Sequence, residues 1–261
     1  MQGIYFTKNI TGEFVNKFDF KGVFNKADYL YFYRSSISLE NTTNQIKILL
    51  RELDLKPKTS ILDAACGHGR HANILAGMGF KVTGVDLMNE FIAIAKKDAK
   101  KQGLSVEYVK KDLRRINYRN KFDRAIMLFT SFGYFSEEEN LLILRNICRT
   151  LKKGGLFFLD IINRDAFLCR LKGLSVTEIT QDMMIDRVSF DSRTGCSINR
   201  RTYLRGGKRH DTEFHVRLYN YNELEKVLEQ AGFEIKSSLG DWNGTPFTSN
   251  SSRLMVIAKK K

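Results

Sequence analysis

Ile61-Leu62-Asp63-Ala64-Ala65-Cys66-Gly67-His68-Gly69-Arg70-His71-Ala72 is the stretch on which the fold turns. An apolar run of strand character enters a turn with two glycines, and helical periodicity begins near Arg70. Glycine in such a turn lets the backbone approach a ligand closely, while the following helix offers free N–H groups at its positive end. The next apolar run, Phe80-Lys81-Val82-Thr83-Gly84-Val85-Asp86-Leu87, ends on Asp86, seventeen positions after Gly69. That is the spacing at which a carboxylate accepts hydrogen bonds from ribose hydroxyls. Strand, glycine turn, helix, strand and acid together predict a nucleoside-containing cofactor.

Working outward, SVEYVKKD (105–112), FDRAIMLF (122–129) and GGLFFLDII (154–162) continue the series of short apolar runs. Helical patterns such as FIAIAKKDAKKQG (91–103) and EEENLLILRNICRTLKKGG (137–155) separate them. Strands that read as nearly continuous apolar runs, alternating with helices, predict a doubly wound α/β fold with a parallel sheet covered on both faces. Gly79, Gly103, Gly154 and Gly232 stand where left-handed helix C-caps are expected. Over roughly 174–219 the pattern changes to alternating runs, MMIDRVSFD, CSINRRTYLR and DTEFHVRLY, joined by the turn-forming RTG and RGGK. This segment predicts an antiparallel β insertion. One more helix, YNELEKVLEQAG, and two strands, FEIKSSLG and SRLMVIAKK, complete the main sheet.

The 261 residues suit one α/β core with a modest insertion. The expected division is a core of 1–173 and 220–261, with 1–44 as an N-terminal helical cover, and an insertion of 174–219 placed as a lid over the substrate. At 43% hydrophobic and 28% charged residues, with 2 prolines, the composition excludes disordered and collagen-like classes. No apolar run approaches the roughly 18 residues that span a bilayer, and the first twenty residues lack a signal-peptide pattern, so a cytoplasmic location is expected. Cys66, Cys148, Cys169 and Cys196 are scattered, which indicates neither a metal site nor a disulfide framework. The net charge of +14 attracts anionic partners. Half of it comes from Lys96–Arg124, where eleven basic residues face four acidic ones, on what reads as a solvated surface.

Gly67-x-Gly69-x-x-Ala72 also approximates the fingerprint of dinucleotide enzymes, and Asp63 separates the two readings. Four residues before Gly67, its carboxylate would face a pyrophosphate unfavourably, whereas a cationic ligand fits; a backbone-capping carboxylate is the other account of it. Asp63-Ala64-Ala65-Cys66-Gly67-His68-Gly69 resembles the first motif, D-x-x-C-G-x-G, of the class I S-adenosylmethionine-dependent methyltransferases. The resemblance covers roughly 45–170 and 220–261. It implies a seven-stranded Rossmann-like sheet whose last strand runs antiparallel, and S-adenosylmethionine as cofactor without a metal. By that resemblance Asp86 matches the ribose acid, Asp112 the contact to the adenine amine, and Leu87 and Leu113 the adenine sandwich. It also places Tyr33, Ala65, Lys111 and Phe129 beside the cofactor, with Asp63, Gly67 and Gly69. For Asp112 a turn cap, and for Tyr33 helical core packing, compete with these roles; Cys66 reads as a small hydrophobe under the loop.

The segments SFGYF (131–135), RLYN (217–220) and GTPFTSNSSR (244–253) resemble a subgroup of sugar N-methyltransferases and other small-molecule enzymes. A small-molecule acceptor methylated on nitrogen or oxygen is therefore expected, in a monomer or homodimer. His215 is the expected general base, Tyr134 a catalytic and substrate contact, and Asn163 and Arg217 further substrate contacts. Thr130-Ser131-Phe132-Gly133 lacks the prolines of amino-methylating DNA enzymes, and neither Pro57 nor Pro246 precedes a cysteine, as cytosine carbon methylation would need. Structured RNA is the alternative acceptor, supported by charge but by no RNA-binding module. A nucleoside-binding or partner-binding protein without activity is the non-enzymatic alternative.

Overall fold

The computed structural model describes residues 19–261. The beginning of the expected helical cover, residues 1–18, lies outside the described residues. Three helices come first: α1 (Phe20–Val23), α2 (Lys26–Phe32) and α3 (Leu39–Glu52). Strand and helix then alternate through β1 (Ser60–Ala64), α4 (Arg70–Gly77), β2 (Lys81–Asp86), α5 (Asn89–Lys101), β3 (Val106–Lys110), β4 (Phe122–Met127), α6 (Glu137–Thr150), β5 (Leu151–Ile162) and α7 (Arg164–Cys169). Four strands follow without a helix: β6 (Leu174–Ile179), β7 (Asp182–Asp191), β8 (Cys196–Arg205) and β9 (Lys208–Arg217). Helix α8 (Tyr221–Gln230) leads to β10 (Phe233–Leu239) and β11 (Arg253–Lys260).

The main sheet has the order β3-β2-β1-β4-β5-β11-β10. β11 runs antiparallel to both of its neighbours, while β1 to β5 pair in parallel. Alternation along β1 explains the layers. Ile61 faces the α3, α4 and α5 side, among Ile46, Leu49, Leu75 and Ile92. Leu62 and Ala64 face the α6 and α8 side, among Leu144, Ile147, Leu224 and Leu228. All of these are at most 3% exposed, so both sheet faces are dry, as a parallel sheet requires. The strand order reverses between β1 and β4, and a crevice opens there at the carboxyl ends.

Helix ends follow local chemistry. Ser136 caps α6 in a reciprocal box with Glu139. Gly79, Gly103 and Gly232 take positive φ just beyond α4, α5 and α8. Gly154 departs from expectation: α6 ends at Thr150, and Gly154 sits inside β5, where its φ of 74° belongs to an irregular start of that strand. The exposed lysines of α5, Lys96, Lys97, Lys100 and Lys101, line its outer face.

The second sheet, ordered β6-β7-β8-β9, is an antiparallel meander. It carries α2 on one side: Phe32 packs with Ile179, Met184 and Tyr203, and Arg205 Nη1 lies 3.0 Å from Asp28 Oδ1. It meets the loop after β4, where Arg217 N donates to Gly133 O at 2.8 Å.

The two glycines of the β1 turn have different reasons. Gly69, with φ +80°, caps α4, and a Cβ there would meet Tyr108 Oη at 2.3 Å and Ala95 Cβ at 2.8 Å. Gly67, with φ +55°, would place a Cβ in open space. Gly69→Ala should therefore destabilise the fold by about 2–4 kcal/mol through strain and overpacking. Gly67→Ala should cost only about 1 kcal/mol from backbone strain. Denaturant midpoints check this, and equal losses would contradict the assignment.

Candidate functional site

Asp86 organises the crevice. Its Oδ2 accepts from Gly67 N and its Oδ1 from Met88 N, both at 2.8 Å. Burial raises its pKa, and these backbone donors oppose the rise. The turn of β1 is thereby tied to the turn of β2. Two adjoining cavities open above it, of about 340 Å³ and about 120 Å³, and they share Phe24, Tyr29, Ala65, Gly67, Ser131 and Tyr134.

The smaller cavity is a slot lined by Asp86, Leu87, Met88, Phe91, Lys111, Asp112 and Leu113. Asp112 accepts from Arg114 N at 2.8 Å and is gripped by the Arg114 guanidinium, with Nη2 2.6 Å from Oδ2. The carboxylate thus caps the 3₁₀ turn Leu113–Arg115 while lining the slot, and its pKa is lowered, the Arg114 hydrogen bonds outweighing burial. Lys111 N donates to Asp86 O at 2.9 Å, and Lys111 Nζ donates to Asn117 Oδ1 at 3.0 Å.

The larger cavity runs from Asp63 to the second sheet. Asp63 is 2% exposed, and its Oδ2 accepts no hydrogen bond. Burial pushes its pKa up to about 7, against the pull of Arg70. Arg70 Nη1 donates to Thr42 Oγ1 at 2.8 Å and Gln45 Oε1 at 2.7 Å, and its guanidinium lies 5.4 Å from the Phe129 ring centroid. Tyr33 faces the same space, its ring 4.9 Å from Tyr29 and 6.1 Å from Phe129. Asp160 fixes the loop after β4: its Oδ2 accepts from Phe129 N at 2.8 Å, and its Oδ1 from Arg253 Nε at 2.7 Å. Phe129 and Thr130, with φ of 59° and 56°, are held in left-handed conformations by these bonds. Tyr134 stands between the cavities, and burial raises its phenol pKa, so it is a neutral hydroxyl at physiological pH.

Of the cofactor residues expected from sequence, all but Gly69 line one cavity or both. Gly69 instead packs against Tyr108. Three further expectations need correction. His215 stands opposite Ile198 in the β8–β9 register, while its neighbours Phe214 and Val216 line the cavity. Strand alternation therefore turns His215 to the other face, where Nε2 lies 3.1 Å from Glu213 Oε1. Asn163 is fully buried; its amide donates to Ser249 O and Ser251 O, and its Oδ1 caps α7, so it holds the final loop rather than a substrate. Arg217 is committed to Glu137 at 2.5 Å and Glu223 at 3.1 Å, away from both cavities. Cys66 is buried under the loop with its thiol pKa raised, an unreactive state.

Sequence reading missed Arg70, Arg253 and the inward face of β8, Ser197, Asn199 and Arg201, all of which line the larger cavity. Period-two spacing was the available signal for β8. Among the described residues no cluster of side chains suits a metal ion. The site fits an adenosine-bearing sulfonium: Gly67 leaves its Cβ position open toward the cavities, the slot is apolar beside two carboxylates, and the buried Asp63 oxygen awaits a donor or cation.

The Asp63 environment makes a pH prediction. With a folded pKa of about 7 against 3.8 for the ordinary group, the folded protein holds a proton that the unfolded chain releases as pH rises above roughly 4. The contribution of this group to stability is full at low pH and is lost as pH rises toward 7. In ligand-free protein, Asp63→Asn should flatten that decline by an amount on the order of a few kcal/mol between pH 5 and 8. Denaturant titrations at both pH values check it; parallel slopes for the two proteins would contradict it.

Comparison with known proteins places this geometry. The methyltransferase domain family matches residues 61–155, from β1 to the start of β5. The cypemycin N-terminal methyltransferase of a Streptomyces species is 27% identical over 208 residues, 77% of this chain and 83% of that protein. An S-adenosylmethionine-dependent methyltransferase structure from Clostridium acetobutylicum superposes with a TM-score of 0.77 at 22% identity, over 91% of this chain and 99% of that one. The sugar N-methyltransferase KedS8 from a Streptoalloteichus species shares the fold at a TM-score of 0.67 and 17% identity, over 100% of both chains. Residues 61–155 thus carry a methyltransferase domain, and the chain as a whole has the fold of S-adenosylmethionine-dependent methyltransferases.

Proposed function

We propose that the protein methylates a small hydroxylated molecule, with the amine of an amino sugar as the leading acceptor and a hydroxyl as the alternative atom. The observation that carries this reading is the pair of cavities meeting at Ala65, Gly67 and Tyr134. The smaller would take adenosine, with Asp86 toward the ribose, Asp112 and Lys111 at the base and Leu87 and Leu113 on its faces. The larger would take the methionine moiety beside Tyr33, Asp63 and Phe129, and beyond it the acceptor. The similarity to a sugar N-methyltransferase and to the cypemycin N-terminal methyltransferase favours nitrogen.

S-adenosylmethionine supplies a sulfonium-activated methyl group when bound. The chain's own task is alignment and exclusion of water. The acceptor lone pair forms the new bond to the methyl carbon, and the carbon–sulfur pair returns to sulfur. Tyr134, a neutral phenol between the two compartments, would hold the acceptor or the donor in line rather than act as a phenolate base. An amine arriving unprotonated needs no base, and its extra proton leaves to solvent. The second sheet, with α2 attached to it, would act as the lid over the acceptor. We place the protein in the cytoplasm; among the described residues no helix is long and apolar enough to cross a membrane.

The +14 charge is the one feature favouring structured RNA. In the basic segment Arg114 is paired with Asp112 and Glu139, and Lys121 with Glu107, which reduces its field. Transfer RNA should bind weakly, with affinity falling steeply between low and physiological salt. Selective binding at physiological salt would favour the RNA reading.

Calorimetry should show saturable binding of S-adenosylmethionine, and Asp86→Ala should weaken it by about 1.5–3 kcal/mol, the range for charge-assisted hydrogen bonds lost together with turn order. Retained affinity, or preference for NAD, would overturn the assignment. His215→Ala should leave turnover within about twofold, as expected of a residue outside the cavity, and a fall of 10²–10⁴ would restore it as the base.

A further inference from the structure

One polar atom in the wall of the larger cavity has no partner and no place in the account above. β8 sends Ser197, Asn199 and Arg201 to the cavity. Asn199 is 9% exposed, and its Oδ1 is wholly shielded without a hydrogen bond. Directly opposite it stand Val188 on β7 and Phe214 on β9, both apolar and both lining the cavity. The nearest cation on the same face of the strand is already committed. Arg201 Nε and Nη2 donate to Asp186 at 2.6 and 3.0 Å, and its guanidinium lies 5.1 Å from the Phe214 ring centroid and 5.6 Å from that of Tyr33.

A shielded amide oxygen without a donor costs stability, and folded proteins rarely keep one. The other two such atoms among the described residues differ in setting. Asp63 stands near the end of β1, and Asn140 belongs to the core, where its amide donates to Phe135 O. Only Asn199 of the three stands on the second sheet, in the cavity wall and flanked across the strands by Val188 and Phe214.

We propose that Asn199 selects the methyl acceptor, its Oδ1 accepting a hydrogen bond from an acceptor N–H or O–H group while Val188 and Phe214 pack against the adjoining carbons. This rests on the proposed methyl transfer and deepens it by naming the residue that reads the acceptor. A site built around such a bond rejects analogues that lack the donor far more strongly than it distinguishes carbon skeletons. The substrate class is a compact molecule bearing a hydrogen-bond donor next to the methylated position.

Asn199→Leu, nearly isosteric, and Asn199→Asp, which retains an acceptor oxygen, test this in the full chain. In Asn199→Leu the melting temperature should be equal to or above that of the wild type, because no protein donor loses its partner. Its affinity for S-adenosylmethionine should stay within about threefold, while KM for glucosamine, the acceptor probe, rises at least about tenfold with a smaller change in kcat. Asn199→Asp should recover most of that KM. A lower melting temperature in Asn199→Leu would show that the amide serves the fold, and an unchanged KM would show that it does not read the acceptor; either overturns the inference. If the wild type binds S-adenosylmethionine yet leaves glucosamine unmethylated, the amino-sugar reading fails and the melting temperatures alone decide Asn199: a fall overturns its role, and a hold or rise sustains it.

Discussion

The Asp86 carboxylate, shared between the Gly67 and Met88 backbone N–H groups, is the interaction on which the site depends. It joins the ends of two adjacent parallel strands, whose register pairs Asp63 with Gly84 and Ala64 with Val85. Cys66 N adds a bond to Val85 O at 3.0 Å, so the turn is closed on both sides. A buried carboxylate is tolerated because each oxygen receives a strong, charge-assisted donor. Each oxygen also keeps acceptor capacity for a further hydroxyl. The fold and the proposed ribose contact therefore draw on the same group, and no substitution at Asp86 can remove one without disturbing the other.

The second sheet obeys a different constraint, the parity of its strands. Asp186, Val188, Asn199, Arg201 and Phe214 share one face because they stand opposite one another or two apart along antiparallel strands. The opposite face carries Arg200, Glu213 and His215, with Arg200 Nε 2.7 Å from Glu213 Oε2. A shift of one residue would exchange the two faces entirely. The buried Asp186–Arg201 pair, 2.6 Å apart and directly opposite in the register, supports this alignment, since a shift would separate two buried charges.

The contrast explains what the sequence could disclose. The cavity positions of Asp63, Gly67, Asp86, Leu87, Asp112 and Leu113 were legible because each sits within a few residues of a strand end, where chain order alone dictates position. The doubly wound sheet was legible for the same reason, through apolar runs that match β1 to β5. His215 was misplaced because both faces of β8 and β9 carry polar residues, so alternation marks a strand but not which side meets the core. Asn163 and Arg217 were misassigned because their partners, Ser249, Ser251, Glu137 and Glu223, are distant in sequence. Asp160, at the end of β5, gave no sign that Arg253, ninety-three residues later, would complete it.

The polar groups around the larger cavity fall into two kinds, and the division bears on how the site works. The buried Asp160 with the partly exposed Arg253, and the buried pair of Asp186 with Arg201, have charges compensated within the protein, so they stiffen the walls without demanding anything from a ligand. Asp63 Oδ2 and Asn199 Oδ1 are buried without a hydrogen-bond partner, and they lie on the β1 side and the second-sheet side of the same space. The neighbouring guanidinium groups are already bonded, Arg253 to Asp160 and Arg201 to Asp186, and neither of the two atoms has a protein donor. In that arrangement destabilisation of the empty site and orientation of its ligands have one origin: unpartnered acceptors beside compensated neighbours.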